Sequence, residues 1–168
     1  ELCEIAHTYG ALFYTDAGQA VGHVDVNVHE LGVDFLSAYA HKFNGPKGIG
    51  FLYIRKGIVR PPYMNGGAQE SAYRAGTEKV AAIVGMAVAL KANCDLLEKN
   101  QQHILKLERQ PISKLDESGI AYKRNGGGSK VPGLLSSSFP GKDGEAVLER
   151  MDLRGISISS GPACDSGG

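Results

Sequence analysis

Residues 33–50, VDFLSAYAHKFNGPKGIG, place a His-Lys pair between an apolar run and a glycine-rich loop. The apolar run at 33–36 predicts a buried strand of a parallel sheet, whose end would bring His41 and Lys42 to the sheet edge where α/β enzymes bind ligands. A lysine amine that is desolvated there can lose its proton and form a covalent bond to an aldehyde. Taken alone, a His-Lys dipeptide is more often a surface lysine followed by a turn.

A second signal lies upstream, where residues 11–15 predict a strand that ends at Asp16. The small residues after it, Ala17 and Gly18, would let a flat ring approach the backbone closely. Two adjacent strands would then present an acid and an amine at one sheet edge. Pyridoxal phosphate needs such a pair, a lysine for its aldehyde and an acid against its pyridine nitrogen. A lone Asp at a strand end is a weak signal, because such residues commonly cap the next helix.

Four motifs follow one another along the chain: residues 16–22 (DAGQAVG), 41–50 (HKFNGPKGIG), 74–78 (RAGTE) and 159–164 (SSGPAC). Together they resemble the motifs of the cysteine desulfurases, in the iron–sulfur-assembly branch of the pyridoxal-phosphate-dependent class V aminotransferase superfamily. Because the four motifs keep their order and span nearly the whole chain, the match is specific.

The resemblance implies two catalytic residues. Lys42 would carry pyridoxal 5'-phosphate and move a proton of the substrate, L-cysteine, while Cys164 as a thiolate would attack the substrate sulfur. The products would be L-alanine and a persulfide on Cys164, for iron–sulfur cluster assembly or thiolation. Residues 159–168 are small and polar, without a periodic apolar pattern, and this composition indicates a mobile loop.

The resemblance also implies cofactor-binding residues besides Lys42. Asp16 would pair with the pyridine nitrogen, Gln19 would bond the ring hydroxyl, and His41 would lie at the phosphate. Thr77 would reach the phosphate of the neighbouring subunit, which implies a homodimer. Tyr39 stands where these enzymes usually carry a phosphate-binding serine, and tyrosine still offers a hydroxyl.

The fold implied is α/β, of pyridoxal-phosphate fold-type I. Residues 1–86 would be the second half of the large parallel-sheet domain, 87–118 connecting helices, and 119–168 part of the smaller α+β domain with the catalytic cysteine loop. Family members are more than twice as long, so we expect a fragment of a longer polypeptide or one of two complementing chains. Half a parallel sheet would expose apolar faces, which argues against an active enzyme from this chain alone.

Local patterns predict the remaining elements. A helix capped by Thr77 would carry an apolar stripe of Val80, Ile83, Val84, Ala87, Val88 and Leu90, and Pro111 should kink or break a following helix at 100–117. Shorter elements are predicted as a helix stopped by Gly10, a helical turn at 28–31, strands near 49–55, 120–123, 133–139 and 156–159, and a helix near 143–152.

Charge and cysteine content narrow the class of protein. The 168 residues carry 18 basic and 18 acidic side chains, so we expect no nucleic-acid or membrane partner. Cys3 lies at helical spacing from His7, but two ligands on one helix make no metal site, and a structural thiol is the simpler interpretation. Cys94 is predicted in a helix core. No metal site or disulfide framework is expected, and a reducing cytoplasm fits best.

Two functions from different classes stay open. In the first, the parent protein is a homodimeric cysteine desulfurase that passes sulfur to an iron–sulfur scaffold or another acceptor. In the second, the chain is a sulfur-relay or binding module that uses Cys164 only to carry persulfide and has no cofactor chemistry. A related lyase, epimerase or aminotransferase is disfavoured by the setting of Cys164 in SSGPAC.

Overall fold

The computed structural model describes residues 1–161. These residues form two compact units, one spanning Glu1–Leu105 and a second beginning at Lys106. The predicted boundaries at residues 86 and 118 stay predictions. Cys164, the predicted nucleophile, lies outside the described residues.

The first unit contains a mixed three-stranded sheet of Tyr14–Asp16 (β1), Phe35–Tyr39 (β2) and Gly50–Ile54 (β3), in that order. β1 and β2 are parallel, as the apolar run at 33–36 predicts, and β3 pairs with β2 in the antiparallel direction. The sheet is mixed because the connection from β2 to β3, residues 40–49, is too short for the crossover that a parallel neighbour requires.

The first two helices begin and end at recognisable sequence signals. Helix α1 spans Leu2–Thr8 and is followed by Gly10, whose φ of 69° only glycine adopts readily. Helix α2 spans Val28–Leu31, as predicted. The Asn27 side chain caps it by accepting the backbone N–H groups of its first turn, and the helix ends at Gly32 in the left-handed region.

The third helix buries a face that matches the predicted stripe only in part, since Leu90 of that stripe packs on the core. Helix α3 spans Val80–Asp95 with Lys79 at its N-cap, so Thr77 is not the cap. The stripe prediction is wrong for Val80, Val84 and Val88, which are 65%, 55% and 64% exposed. Cys94 is also exposed rather than in the core. Residues packed on the core from this helix are Met86, Ala89 and Leu90.

Close backbone approach explains which face of α3 is buried. A Cβ atom on Gly85 would stand only 2.9 Å from Pro46 Cγ, so this face can approach the loop after β2 only with glycine at 85. Because α3 is apolar on nearly every side, periodicity could not select the face. The core that it covers is a cluster of small and branched side chains with one aromatic ring: Ala17, Val21, Val33, Leu36, Ala38, Ala40 and Phe43.

A buried carboxylate ties α1 to the sheet. Asp34, immediately before β2, is 1% exposed. It accepts hydrogen bonds from the Phe13 N–H at 2.6 Å and from His7 Nε2 at 2.8 Å, and it also pairs with Arg55. Burial raises the pKa of Asp34, but these hydrogen bonds outweigh it and hold the pKa at about 2, below the ordinary 3.8.

Helix α4, Leu97–Glu117, leads into the second unit. Pro111 lies inside it, so the prediction that Pro111 breaks the helix is wrong, while the alternative of a kink stays a prediction. Position 111 is exposed, and solvent can satisfy the carbonyl that proline leaves without a donor. The unit also contains an antiparallel pair of short strands and one further helix: Lys123–Arg124 (β4), Ser137–Ser138 (β5) and Gly144–Asp152 (α5). The strand predicted at 156–159 is wrong, since these described residues form no ladder.

The second unit is organised around Glu108, the one buried side chain among its described residues. Glu108 accepts hydrogen bonds from Lys130 Nζ at 2.6 Å and from the Gly133 N–H at 2.8 Å, and Arg124 lies 4.0 Å away. The bond from Lys130 is the main reason that the pKa of Glu108 is lowered.

Within residues 1–161, no single helix is long and apolar enough to cross a membrane. Only α3 and α4, taken together as a bent pair, meet the length and composition that a span requires.

Candidate active site

The end of the parallel strand pair brings the predicted acid and amine to one sheet edge. Asp16 is the last residue of β1 and stands opposite Ser37 of β2. From Tyr39, the end of β2, the chain passes directly into a 3₁₀ turn, Ala40–Phe43, that carries Lys42. Asp16 and Lys42 therefore lie at the carboxyl ends of two adjacent parallel strands, where α/β folds bind ligands.

The 3₁₀ turn orients Lys42 by anchoring its neighbours. Ala40 and Phe43 are completely buried, while His41 is exposed and Lys42 half-buried. Residues three apart lie on the same side of a 3₁₀ helix, so the two buried residues fix one side of the turn in the core. His41 and Lys42 consequently face away from that anchor. Asn44 ends the turn in the left-handed region, with φ 65°.

Two polar side chains that the sequence patterns do not single out, His23 and Asn93, hold the backbone of this turn, and a third, Gln101, holds His23. His23 Nε2 donates to the Lys42 carbonyl at 2.7 Å, and Gln101 Nε2 donates to the His23 carbonyl at 2.8 Å. Asn93 of α3 donates to the Phe43 carbonyl at 2.8 Å. Asn93 on the mostly apolar α3 is a signal in the sequence, whereas His23 and Gln101 depend on contacts distant in sequence.

Both oxygens of the Asp16 carboxylate accept hydrogen bonds. Oδ1 accepts the Gly18 N–H at 2.8 Å and Oδ2 accepts the Tyr39 hydroxyl at 2.8 Å. The bond to Asp16 raises the pKa of Tyr39, so its hydroxyl remains a donor. The Tyr39 ring also stacks on His41, with ring centroids 6.1 Å apart.

The other predicted site residues are less connected. Gln19 is exposed in the turn after β1, and Thr77 is exposed ahead of α3. Within residues 1–161, no hydrogen bond joins either of them to Asp16 or Lys42. The same residues contain no group of three or more His, Cys, Asp or Glu side chains placed to hold a metal ion.

The geometry is that expected of a known family. A family model described as "Aminotransferase class-V" matches residues 1–166. The chain belongs to the class V aminotransferase family. Enzymes of this family depend on pyridoxal phosphate.

Individual members of the family match over almost the whole chain. It is 44% identical over 167 residues to a protein named cysteine desulfurase IscS of Dictyoglomus turgidum, and 43% identical over 169 residues to a cysteine desulfurase of Klebsiella pneumoniae. Each match covers 99% of this chain but 42% of the relative. The chain thus spans less than half the length of these class V aminotransferase relatives.

Solved structures agree with the family assignment. The NifS-like protein of Rickettsia africae superposes with a TM-score of 0.87 at 30% identity, covering 96% of this chain and 45% of that protein. A structure described as SspA in complex with cysteine superposes with a TM-score of 0.69 at 27% identity, covering 98% and 45%. The chain is therefore an α/β portion of the fold-type I structure.

The sheet edge has the chemistry that pyridoxal phosphate requires. Asp16 is a carboxylate of the kind that a protonated ring nitrogen requires, and Lys42 is an amine on a turn that the core anchors. Ala17 and Gly18 beside the acid are small and buried, so backbone lines this part of the edge. The residues present fit the cofactor of the family, with one unusual feature: a tyrosine hydroxyl bonded to the acid.

Proposed function

We propose that this chain is part of a pyridoxal-phosphate-dependent cysteine desulfurase. The observation that carries the proposal is the parallel pair β1 and β2, which brings Asp16 and Lys42 to one sheet edge. The identity of 44% to a protein named cysteine desulfurase supports the same activity.

Each residue of the edge has a defined task in this proposal. Bound pyridoxal phosphate supplies a sink for the electrons of the substrate α-carbon. Lys42 would supply the amine that holds the cofactor aldehyde and would move the proton at the α-carbon, while Asp16 would accept from the ring nitrogen. His41 binds the phosphate and Gln19 the ring hydroxyl. His23 and its neighbours keep the backbone of Lys42 in place through the bond to its carbonyl.

Cys164 completes the reaction in this proposal. Its thiolate attacks the sulfur of L-cysteine, so that an S–S bond forms while the C–S bond of the substrate breaks. The electron pair of the broken bond stays on carbon, which takes a proton to give L-alanine. The persulfide left on Cys164 then passes to an iron–sulfur scaffold or another acceptor protein.

The proposal extends to assembly and location. Thr77 is exposed ahead of α3, where it is free to reach the phosphate of a second subunit in a homodimer. We place residues 1–86 in the large domain of the fold and residues 119–168 in the small domain, with residues 87–118 as connecting helices. A reducing cytoplasm suits a protein whose buried Cys3 and exposed Cys94 are both free thiols.

Four variants of the full-length protein test this function. We expect the purified protein to be yellow and to release sulfide and alanine from L-cysteine. Lys42→Ala should abolish both colour and turnover, whereas Lys47→Ala, five residues along the same loop, should retain both. Cys164→Ser should keep the colour and stop sulfide release, and Cys94→Ser should change neither.

Three results would contradict the assignment. A yellow Lys42→Ala protein with its cofactor still covalently bound would show that another amine holds it. Unchanged sulfide release by Cys164→Ser would place the nucleophile elsewhere. A colourless protein that nevertheless accepts persulfide on Cys164 would be a sulfur relay and not a desulfurase.

A further inference from the structure

The Tyr39 hydroxyl is hydrogen-bonded to Asp16, the acid that the proposed cofactor needs. The hydroxyl lies 2.8 Å from Oδ2 of Asp16, and the other oxygen is held by the Gly18 N–H. A neutral phenol is a good donor to a carboxylate, and such charge-assisted bonds are the stronger kind. In this structure the acid is therefore satisfied by the protein's own groups.

The ring of Tyr39 also covers the small residue beside the acid. A Cβ atom on Gly18 would stand 2.7 Å from both Cδ2 and Cε2 of that ring, which is closer than real contacts allow. Tyr39 can adopt this position only because residue 18 is glycine. A flat ring that approached Asp16 along Gly18 would meet the aromatic ring already there.

The Tyr39 side chain lies where it can rotate away from Asp16. The residue is at the end of β2 and is 37% exposed, unlike the fully buried Ala40 and Phe43 that follow. The Tyr39 ring also stacks on His41, which is itself exposed. Outward rotation of Tyr39 therefore breaks its hydrogen bond to Asp16, its stacking on His41 and its packing against Gly18, and it leaves the buried Ala40 and Phe43 in place.

We propose that Tyr39 controls access to Asp16, holding the carboxylate until a cofactor ring displaces its hydroxyl. This inference rests on the proposed function and identifies a residue that weakens cofactor binding. In this proposal Tyr39 has a different role from the phosphate-binding serine that the family usually carries at this position. Its hydroxyl is directed to the acid that receives the ring nitrogen, and the phosphate is left to other residues.

Binding of pyridoxal phosphate and of pyridoxal to the full-length apoprotein tests the proposal. Tyr39→Phe keeps the ring and removes only the hydroxyl, so the bond to Asp16 no longer has to be broken. We expect both ligands to bind about ten-fold more tightly, the factor for one hydrogen bond to a charged group. Tyr63→Phe, at a tyrosine that is 83% exposed, is the matched control and should leave both affinities unchanged.

A structure of the loaded protein is the second measurement. We expect the Tyr39 hydroxyl beyond hydrogen-bond distance of Asp16, more than about 3.5 Å away. Equal or weaker binding of both ligands by Tyr39→Phe would overturn the proposal. Weaker binding of pyridoxal phosphate alone would also overturn it, by making Tyr39 a phosphate ligand. If neither protein bound either ligand, the proposed function would fail, and this inference with it.

Discussion

Asp34 and Glu108 are both buried carboxylates, one in each compact unit, but their surroundings differ. Asp34 lies beside an apolar core and accepts from a backbone N–H, a histidine and an arginine. Glu108 accepts from a lysine and a backbone N–H and is the one buried side chain among the described residues of its unit. Asp34 therefore adds polar contacts to an apolar core. Glu108, in contrast, is itself the centre around which the second unit packs.

The difference bears on where a site can be built. Asp34 immediately precedes β2, the strand that ends beside the candidate site. Apolar burial and the Asp34 bonds together fix this strand, which holds the turn that carries Lys42 and pairs with β1, the strand that ends at Asp16. In the second unit, the buried Glu108 of α4 is held by the charged side chains of Lys130 and Arg124, which are themselves partly exposed, so these contacts are more sensitive to salt and solvent.

Asp34→Asn should have the largest effect on stability. The change removes the charge that Arg55 neutralises, in a site 1% exposed, and should lower the free energy of unfolding by about 3 kcal/mol. Urea unfolding of the full-length protein would measure it. Asp95→Asn breaks an exposed pair with Lys91 and should cost less than about 0.5 kcal/mol. Equal losses in the two variants would show that Asp34 does not reinforce the core.

Lowering the pH should reduce the stability of the protein by protonating the same carboxylate, Asp34. The pKa of Asp34 in the folded protein, about 2, is below its ordinary 3.8, so its contribution to stability is complete above 3.8 and is lost as the pH falls toward 2. The melting temperature of the native protein should therefore fall more steeply between pH 5 and pH 2, about the range of this titration, than that of Asp34→Asn. Parallel curves would mean that this carboxylate gains no stability from its partners.

Glu108→Gln should have a smaller and more local effect. The neutral amide keeps an acceptor for the Gly133 N–H but loses the charge facing Lys130, for a cost of about 1–2 kcal/mol. Hydrogen exchange should show faster exchange at Gly133 and no change at Phe13 in the first unit. Glu149→Gln, at an exposed residue of α5, serves as the control. Faster exchange at Phe13 would contradict the separation of the two networks.

Ala72→Gly should give the smallest effect, and a stabilising one. Glu70, Ser71 and Ala72 have φ values of 47°, 56° and 64°, a run of left-handed residues outside both carboxylate networks. Glycine relieves that strain and should raise stability by up to about 1 kcal/mol. Ala68→Gly, at a residue with φ −83°, should instead destabilise the protein. Destabilisation by Ala72→Gly would show that the turn is not strained.

Local signals predicted the elements that position the site. The apolar runs at 33–36 and 49–55 gave β2 and β3, and the cap at Asn27 with Gly32 accounts for α2. Asp16 and Lys42 were predicted at one edge because each follows an apolar run, and parallel neighbours end on the same side.

What the sequence could not predict depends on tertiary contacts. The buried face of α3 is selected by the approach of Gly85 to Pro46, which no periodicity encodes. The bond from Tyr39 to Asp16 joins residues 23 apart and requires the register of β1 on β2. The support that His23 gives to Lys42 likewise exists only after folding.

The most direct test of the proposed site is chemical trapping of the cofactor. The full-length protein, loaded with pyridoxal phosphate and reduced with borohydride, would be digested and mapped by mass spectrometry. The proposed geometry predicts a single phosphopyridoxyl adduct, on Lys42. An adduct on Lys47 or any other lysine, with Lys42 unmodified, would contradict it.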